Sequence, residues 1–329
     1  MSQSFSASRL RRSASFRRLT GVSVATFDRM MKRLSGPWDE SQRRKSKSGR
    51  PWEVGGLEDH LLIMLVYYRC YVTQEFIGFF YHVDRSVICR AIQRIETHAR
   101  PLFAVRRNPR ISKQEAAALI VDCTEQPIQR PGREAVQKAH YSGKKKRHTL
   151  KTEYIVTAKG RIASASSSHP GSQHDLTIRR AGPALPKRAR VYGDSAYQGY
   201  DKEHPNIDFP YKKPKQGELT DEEKDYNRGL SSFRVRVEHR IGRTKRFRIV
   251  SDRYRNPLRT HHTKISMVAG LVNIEAGFKP DGVHEARAPE DPRSRLHNKP
   301  RTRRQKITQP ATQTNRRLDQ PAKPETKNQ

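Results

Sequence analysis

Three carboxylates in this 329-residue chain sit in company that makes them conspicuous. Asp122 follows the apolar run of "AALIVDC", Asp194 interrupts "VYGDSAYQGY", and Glu238 stands inside "SSFRVRVEHRIGRTKRF", a segment with no other acid and rich in basic residues. If the first two lie at the ends of neighbouring strands, about 4.8 Å apart, they can bridge one divalent ion or share two ions about 3.5–4 Å apart. Glu238 is the best third partner. Helical spacing puts Arg234 one turn before it and Lys245 two turns after it, so a metal-holding carboxylate and two phosphate-holding cations share one face. Hard oxygen donors with open positions specify Mg2+ or Mn2+ rather than zinc. Taken singly, each acid also has an ordinary structural use: Asp122 at a strand end, Asp194 in a turn, Glu238 in a helical ion pair.

Charge narrows the chemistry such a site would serve. Lys and Arg number 67 against 33 Asp and Glu, a net +34, which exceeds what solubility needs and points to a polyanionic partner. DNA or RNA fits better than an anionic membrane. No apolar span reaches transmembrane length, since "LLIMLVYY" is short and closed by Arg69. Cys70, Cys89 and Cys123 fall in apolar stretches without metal-ligand spacing, as expected for small buried residues of an intracellular protein. Residues 1–18, rich in Arg and Ser and free of acids, read as a disordered DNA-contacting arm.

The elements that must position the acids follow from periodicity. Leu19–Leu34 predicts a short helix with Ser23 as N-cap and Val24, Phe27, Met31 and Leu34 along one stripe, followed by a Gly/Pro-broken loop up to Trp52. Leu57–Arg100 predicts three helices, the second and third capped by Thr73 and Asp84. The last two form a helix-turn-helix whose polar side offers Arg85, Ser86, Arg90 and Arg94 to DNA, or a plain bundle with solvated arginines. Beyond residue 110 the pattern changes to strands: the Asp122 run, two strands around Lys159-Gly160, and a short strand in "RARVYGD". Helices are expected in "HDLTIRRAGPAL", over Ser231–Phe247 and over His261–Phe278. Lys144 and Lys145 lie in a basic turn suited to phosphate or to water. From Pro280 onward the composition is that of a disordered basic tail. The expected layout is thus an arm (1–18), a helical DNA-binding domain (19–110), an α/β domain with a mixed sheet (111–279) and a tail (280–329). Three antiparallel strands followed by parallel ones would set the Asp122 and Asp194 strands side by side.

The blocks "LIVDCTEQPIQRP", "YSGKKKRHTLK", "HPGSQHDLTIRR", "VYGDSAYQGY", "PYKKP" and "YNRGLSSFRVRVEHRIGRTKRF" occur in the order found in DDE-superfamily transposases. Over roughly residues 19–278 the chain resembles the insertion-sequence IS5-like group and its Harbinger-like relatives. The resemblance implies an RNase H-like catalytic domain behind a helix-turn-helix, with Asp122, Asp194 and Glu238 as the catalytic, metal-holding triad and two Mg2+ or Mn2+ ions as cofactors. It implies DNA as partner, both transposon ends and target, and at least a dimer on DNA. The implied reaction is phosphodiester hydrolysis at the ends followed by strand transfer from the freed 3′-OH. The related pattern of Tyr, Arg, Glu and Lys maps onto Arg234, Glu238 and Lys245, with Ser231 in the Tyr place, and Cys123 stands where Gly is frequent. Asp175, beside His174 in the "HPGSQHD" block, is expected at a helix N-terminus or near the metal. Two other readings remain open: a DNA-binding regulator or domesticated transposase that does not cut, and a nuclease of the same fold without strand transfer. The expected location is the bacterial cytoplasm, or the nucleus in a eukaryote.

Overall fold

The computed structural model describes residues 6–43, 52–214 and 216–280. Where a disordered arm was expected, the chain folds from Ser6 onward into α1 (Ala7–Arg11) and α2 (Phe16–Thr20). The Arg/Ser-rich composition conceals three anchors. Ala7, Leu10 and Phe16 are buried, and Phe16 meets Phe27 edge-on with ring centroids 5.4 Å apart. The Ala7 N–H donates to Asp59 at 2.9 Å, and Arg11 pairs with Asp28 and Glu58.

Helix α3 (Val24–Arg43) does not stop at Leu34 but runs through Gly36 and Pro37. A proline inside a helix forfeits a hydrogen bond and crowds the preceding turn. Trp38 offsets that cost. It is buried against Trp52, His60 and His98 with centroid separations of 5.1, 5.0 and 5.6 Å. Three helices follow as expected, α4 (Leu57–Cys70), α5 (Gln74–Tyr81) and α6 (Arg85–Phe103). Thr73 accepts from the Phe76 N–H at 3.1 Å and Asp84 from the Ser86 N–H at 2.7 Å, so both N-caps act as expected. The turn between α5 and α6 needs its glycine, because a Cβ on Gly78 would lie 2.6 Å from the Val83 carbonyl oxygen.

The second half alternates strands and helices: β1 (Leu119–Pro127), α7 (Glu134–His140), β2 (Tyr141–Ser142), β3 (Arg147–Thr157), β4 (Ile162–Ala165), β5 (His169–Pro170), α8 (Asp175–Ala181), β6 (Val191–Tyr192), β7 (Ile207–Asp208), α9 (Asp221–Lys245) and α10 (His261–Glu275). The sheet order is β2-β3-β1-β6-β7, with β4 and β5 also on β3. β1 runs antiparallel to β3 and parallel to β6, and β6 parallel to β7, which is the mixed sheet expected. α9 begins ten residues before Ser231, at Asp221, held by a capping box in which Thr220 and Glu223 satisfy each other's backbone N–H groups.

One core serves both halves. Ile120, Tyr154 and Val156 on one sheet face join Val237 and Ile241 of α9, most of α10 and the buried residues of α2–α6 in a single cluster. Leu119, Val121, Ile155, Val191 and Tyr197 form a second cluster on the opposite face. α10 is the common partner. Its Gly270 lies so close to α6 that a Cβ there would sit 1.7 Å from the Phe103 carbonyl oxygen, and its Ser266 carbonyl accepts from the Val105 N–H at 3.1 Å. The change at residue 110 is therefore one of element type; residues 19–110 share one core cluster with 111–279, which adds a second on the far face of its sheet. The basic tail expected from Pro280 lies, from residue 281 onward, outside the described residues. No described helix is long and apolar enough to cross a membrane.

Candidate active site

The β1–β6 register pairs Leu119 with Val191 and Ile120 with Tyr192. Carried two residues further, it brings Asp122 and Asp194 to adjacent positions, and the pleat turns both toward the face that carries Ile120 and Tyr192. Asp194 is also the turn residue that its surroundings suggest: its Oδ1 accepts from the Ala196 N–H at 2.9 Å and caps the short 3-10 turn Ser195–Tyr197. The two roles coexist, because a carboxylate has two oxygens and the cap uses one.

α9 packs over this face. Phe233 meets Tyr192 with centroids 4.7 Å apart, and Val237 and Ile241 are buried. That seating sets Arg234 and Glu238 at the rim above Asp122. Burial pushes the Asp122 carboxyl up to about 6. Asp194 pushes in the same direction, Arg234 opposes, and Asp175 and Glu238 add smaller upward pushes. Asp122 thus feels the charge of Asp194, Glu238 and Arg234. The Arg234 Nε is buried without a hydrogen-bond partner among the described residues.

The triad is nevertheless not closed. Glu238 is exposed, and among the described residues no three His, Cys, Asp or Glu side chains come near enough to share an ion. The donor set fits a hard divalent cation. Asp122 and Asp194 offer carboxylate oxygens, the hard donors that such an ion prefers.

The cations expected to meet DNA divide into two groups. Arg85 and Arg90 are exposed on α6 with Ser86 half-buried beside them, Lys144 and Lys145 are exposed in the turn between β2 and β3, and Lys145 donates its N–H to the Ser142 hydroxyl at 3.2 Å. Lys245 is exposed in the last turn of α9. Arg94 differs from the expectation. One turn past Arg90, α6 passes over the tryptophan cluster; the Arg94 guanidinium lies 4.2 Å from the Trp52 ring centroid and bonds His60 Nε2 at 2.8 Å. It is a packing residue.

The sequence reading missed the opposite face of the sheet. Cys123 pairs in register with Glu153 of β3, which is buried and bound by Arg179 of α8 at 2.6 Å, with exposures of 2% and 0% for the two side chains. Burial pushes the Glu153 carboxyl up and Arg179 opposes it. The Tyr197 hydroxyl donates to the Cys123 sulfur at 3.4 Å, and Tyr197 and Tyr200 are both buried. Asp175 opens α8 as expected and is held by Lys151 at 2.9 Å. The alternating Lys151 and Glu153 in "RHTLKTEYIVT" were visible, but their partners lie more than twenty residues away.

The chain was compared with known proteins. The family model described as DDE superfamily endonuclease matches residues 121–273, and the model for the helix-turn-helix of DDE superfamily endonucleases matches residues 53–99. A protein of Microchaete diplosiphon named as the transposase for insertion sequence element IS702 is 33% identical over 272 residues, covering 80% of this chain and 95% of that one. A Streptomyces albus G protein named as the transposase for insertion sequence element IS112 is 24% identical over 259 residues, covering 76% and 94%.

Proposed function

The chain belongs to the DDE superfamily of transposases, and from that premise we propose that it cuts DNA at the ends of a mobile element with Mg2+ or Mn2+ and joins the freed 3′-OH to target DNA. The observation that carries this reading is that Asp122 on β1 and Asp194, two residues past the parallel strand β6, come close enough for Asp194 to act on the Asp122 carboxyl, together with Arg234 and Glu238.

Asp122 and Asp194, with Glu238 as third ligand, would hold the cation. When bound, divalent metal lowers the pKa of the attacking water or hydroxyl and neutralises charge on the leaving 3′-oxygen. Asp122 must give up its proton to bind a cation, so its raised pKa couples loading of the site to proton release. Arg234, whose Nε has no partner among the described residues, would orient the scissile phosphate. Lys245, two turns along α9, holds a neighbouring phosphate. No covalent enzyme nucleophile is required, and Tyr197 and Cys123 are occupied with each other behind the sheet. Arg85, Ser86 and Arg90 present the reading surface of α6 to the major groove, and Lys144 and Lys145 add backbone contacts. Two ends must be joined, which requires at least two copies on DNA, and the work on DNA places the protein inside the cell.

The test is cleavage of a labelled duplex bearing the element's own ends, in Mg2+, in Mn2+ and in EDTA. Wild type cuts in metal only; Asp122→Asn, Asp194→Asn and Glu238→Gln bind the duplex but lose cleavage by orders of magnitude. Metal-dependent cutting by Asp194→Asn at the wild-type rate would overturn the assignment.

A further inference from the structure

A second concentration of charge lies apart from the carboxylates. A cavity of about 500 Å3 opens where α2, the ends of α4, α9 and α10, and Phe247 meet, and Arg17, Arg18, Arg69, Arg243 and Arg246 line it against a single acid, Glu275. That acid is already engaged. Its Oε1 pairs with Arg17 at 2.9 Å, and its Oε2 accepts from the Ser23 N–H and hydroxyl, both at 3.0 Å. Arg69 is engaged too. It donates through Nε to the Arg18 carbonyl at 3.2 Å and through Nη1 to the Arg246 carbonyl, tying the end of α2 to the end of α9. Gly21 allows that approach: its φ is +79°, and a Cβ there would lie 2.5 Å from the Phe247 ring. Neither Arg243 nor Arg246 pairs with an acid among the described residues. The carbonyl end of α9 supplies only about half a negative charge toward these cations. Five guanidinium groups around one cavity with one engaged carboxylate leave a strong positive field that the fold itself does not neutralise.

We propose that this arginine-lined cavity is a second DNA-backbone site, which grips a phosphodiester away from the carboxylates and is completed by the folded N-terminal helices. The proposal rests on the transposase reading. Arg243 follows Glu238 by five residues, about 7.5 Å along the helix axis and roughly 140° round it, and Arg246, the C-cap, follows by eight, about 12 Å along the axis. The phosphate held here is therefore not the one at the acids. Arg17 and Arg18 reach the cavity only because α1 and α2 are folded back against α4.

The experiment uses the full chain and a fluorescein-labelled duplex carrying the element's ends, with affinity measured across a salt series. Each phosphate contact contributes about 0.9 to the slope of log K against log salt. The pair Arg243→Gln with Arg246→Gln lowers the slope by about 1–2. A charge-matched pair at exposed positions, Lys187→Gln with Arg188→Gln, leaves it nearly unchanged. In parallel, phenylglyoxal labelling read by mass spectrometry shows Arg243 and Arg246 protected by the duplex and not by millimolar inorganic phosphate. Equal slope losses in the two pairs would reduce the cavity to part of the general field and overturn the proposal. So would full protection by inorganic phosphate alone, which would make it a free-anion site. A wild-type chain that neither binds nor cuts its own ends would instead remove the transposase reading, and this site with it.

Discussion

Replacing Gly270 by alanine sets two effects of opposite sign against each other. In an exposed helix the change stabilises by about 1 kcal/mol, because alanine has the better helix propensity and a less flexible unfolded chain. At Gly270 the new Cβ would meet the Phe103 carbonyl oxygen at 1.7 Å, so α6 and α10 would have to separate by about 1.5 Å to restore van der Waals contact. The displaced atom is backbone and cannot swing aside, and overpacking of this kind costs about 1–3 kcal/mol or more before any contact is lost. Contact loss adds to it, because α10 touches both the α6 end and β4. The net expectation is destabilisation by about 2–4 kcal/mol, a fall in Tm of roughly 5–15 °C. Gly242 is the control: it lies in α9 with open space around the position its Cβ would take, so Gly242→Ala should gain up to about 1 kcal/mol. Thermal unfolding would be followed by circular dichroism and by fluorescence, the latter reporting on Trp38 and Trp52, which both lie in the helical half. With one shared core, Gly270→Ala lowers both transitions together. A Gly270→Ala chain that melts at or above wild type, or whose fluorescence transition stays put while the dichroism shifts, would refute the reasoning.

Further outcomes follow from other contacts. Arg179→Met strands the buried Glu153 carboxylate and should cost about 3–5 kcal/mol in urea unfolding, with much of the loss restored in the double variant with Glu153→Gln. Arg90→Gln should weaken binding to the element's ends and lower the salt slope by about 1, whereas Arg94→Gln should lower stability with the slope unchanged. His261 is buried between Gln126 and Ser168, and burial, helped by His262, lowers its pKa from 6.5 to about 3. Its unfolded state binds the proton first, so stability is full above about pH 6.5 and falls as the pH drops toward 3, by about 1.4 kcal/mol per unit. Urea titrations at pH 7 and pH 5 should therefore differ by about 2 kcal/mol from this group, a difference that His261→Gln removes.

The elements around the proposed site could be read before the structure, because their signals are local. Thr73 and Asp84 announce α5 and α6, the apolar run before Asp122 announces β1, and the order of strands and helices already implies that Asp122 and Asp194 are neighbours. Features set by distant partners could not be read in this way. α1 and α2 depend on three apolar anchors diluted among Arg and Ser, and α3 survives Pro37 only through rings contributed by Trp52, His60 and His98. Arg94 looked like its neighbours on α6 because nothing local marks the tryptophan beneath it. The early start of α9 is a different matter. Thr220 and Glu223 have capping-box spacing, but the segment behind them is charged all round and lacks the apolar stripe that marks a helix.

The core shared by α6, α10 and the sheet also makes the molecule a gauge of length. A reading helix on a flexible tether could tolerate variable spacing between the sequence it recognises and the bond that is cut. Here α6 and β1 share that core, so under the proposed reading the span from recognised bases to scissile phosphate within a protomer is set by protein geometry. Adding one base pair between them shifts the phosphate by about 3.4 Å along the DNA axis and rotates it by roughly 35° about that axis. Elements mobilised by this protein should therefore keep that interval invariant at both ends, even where the intervening bases differ.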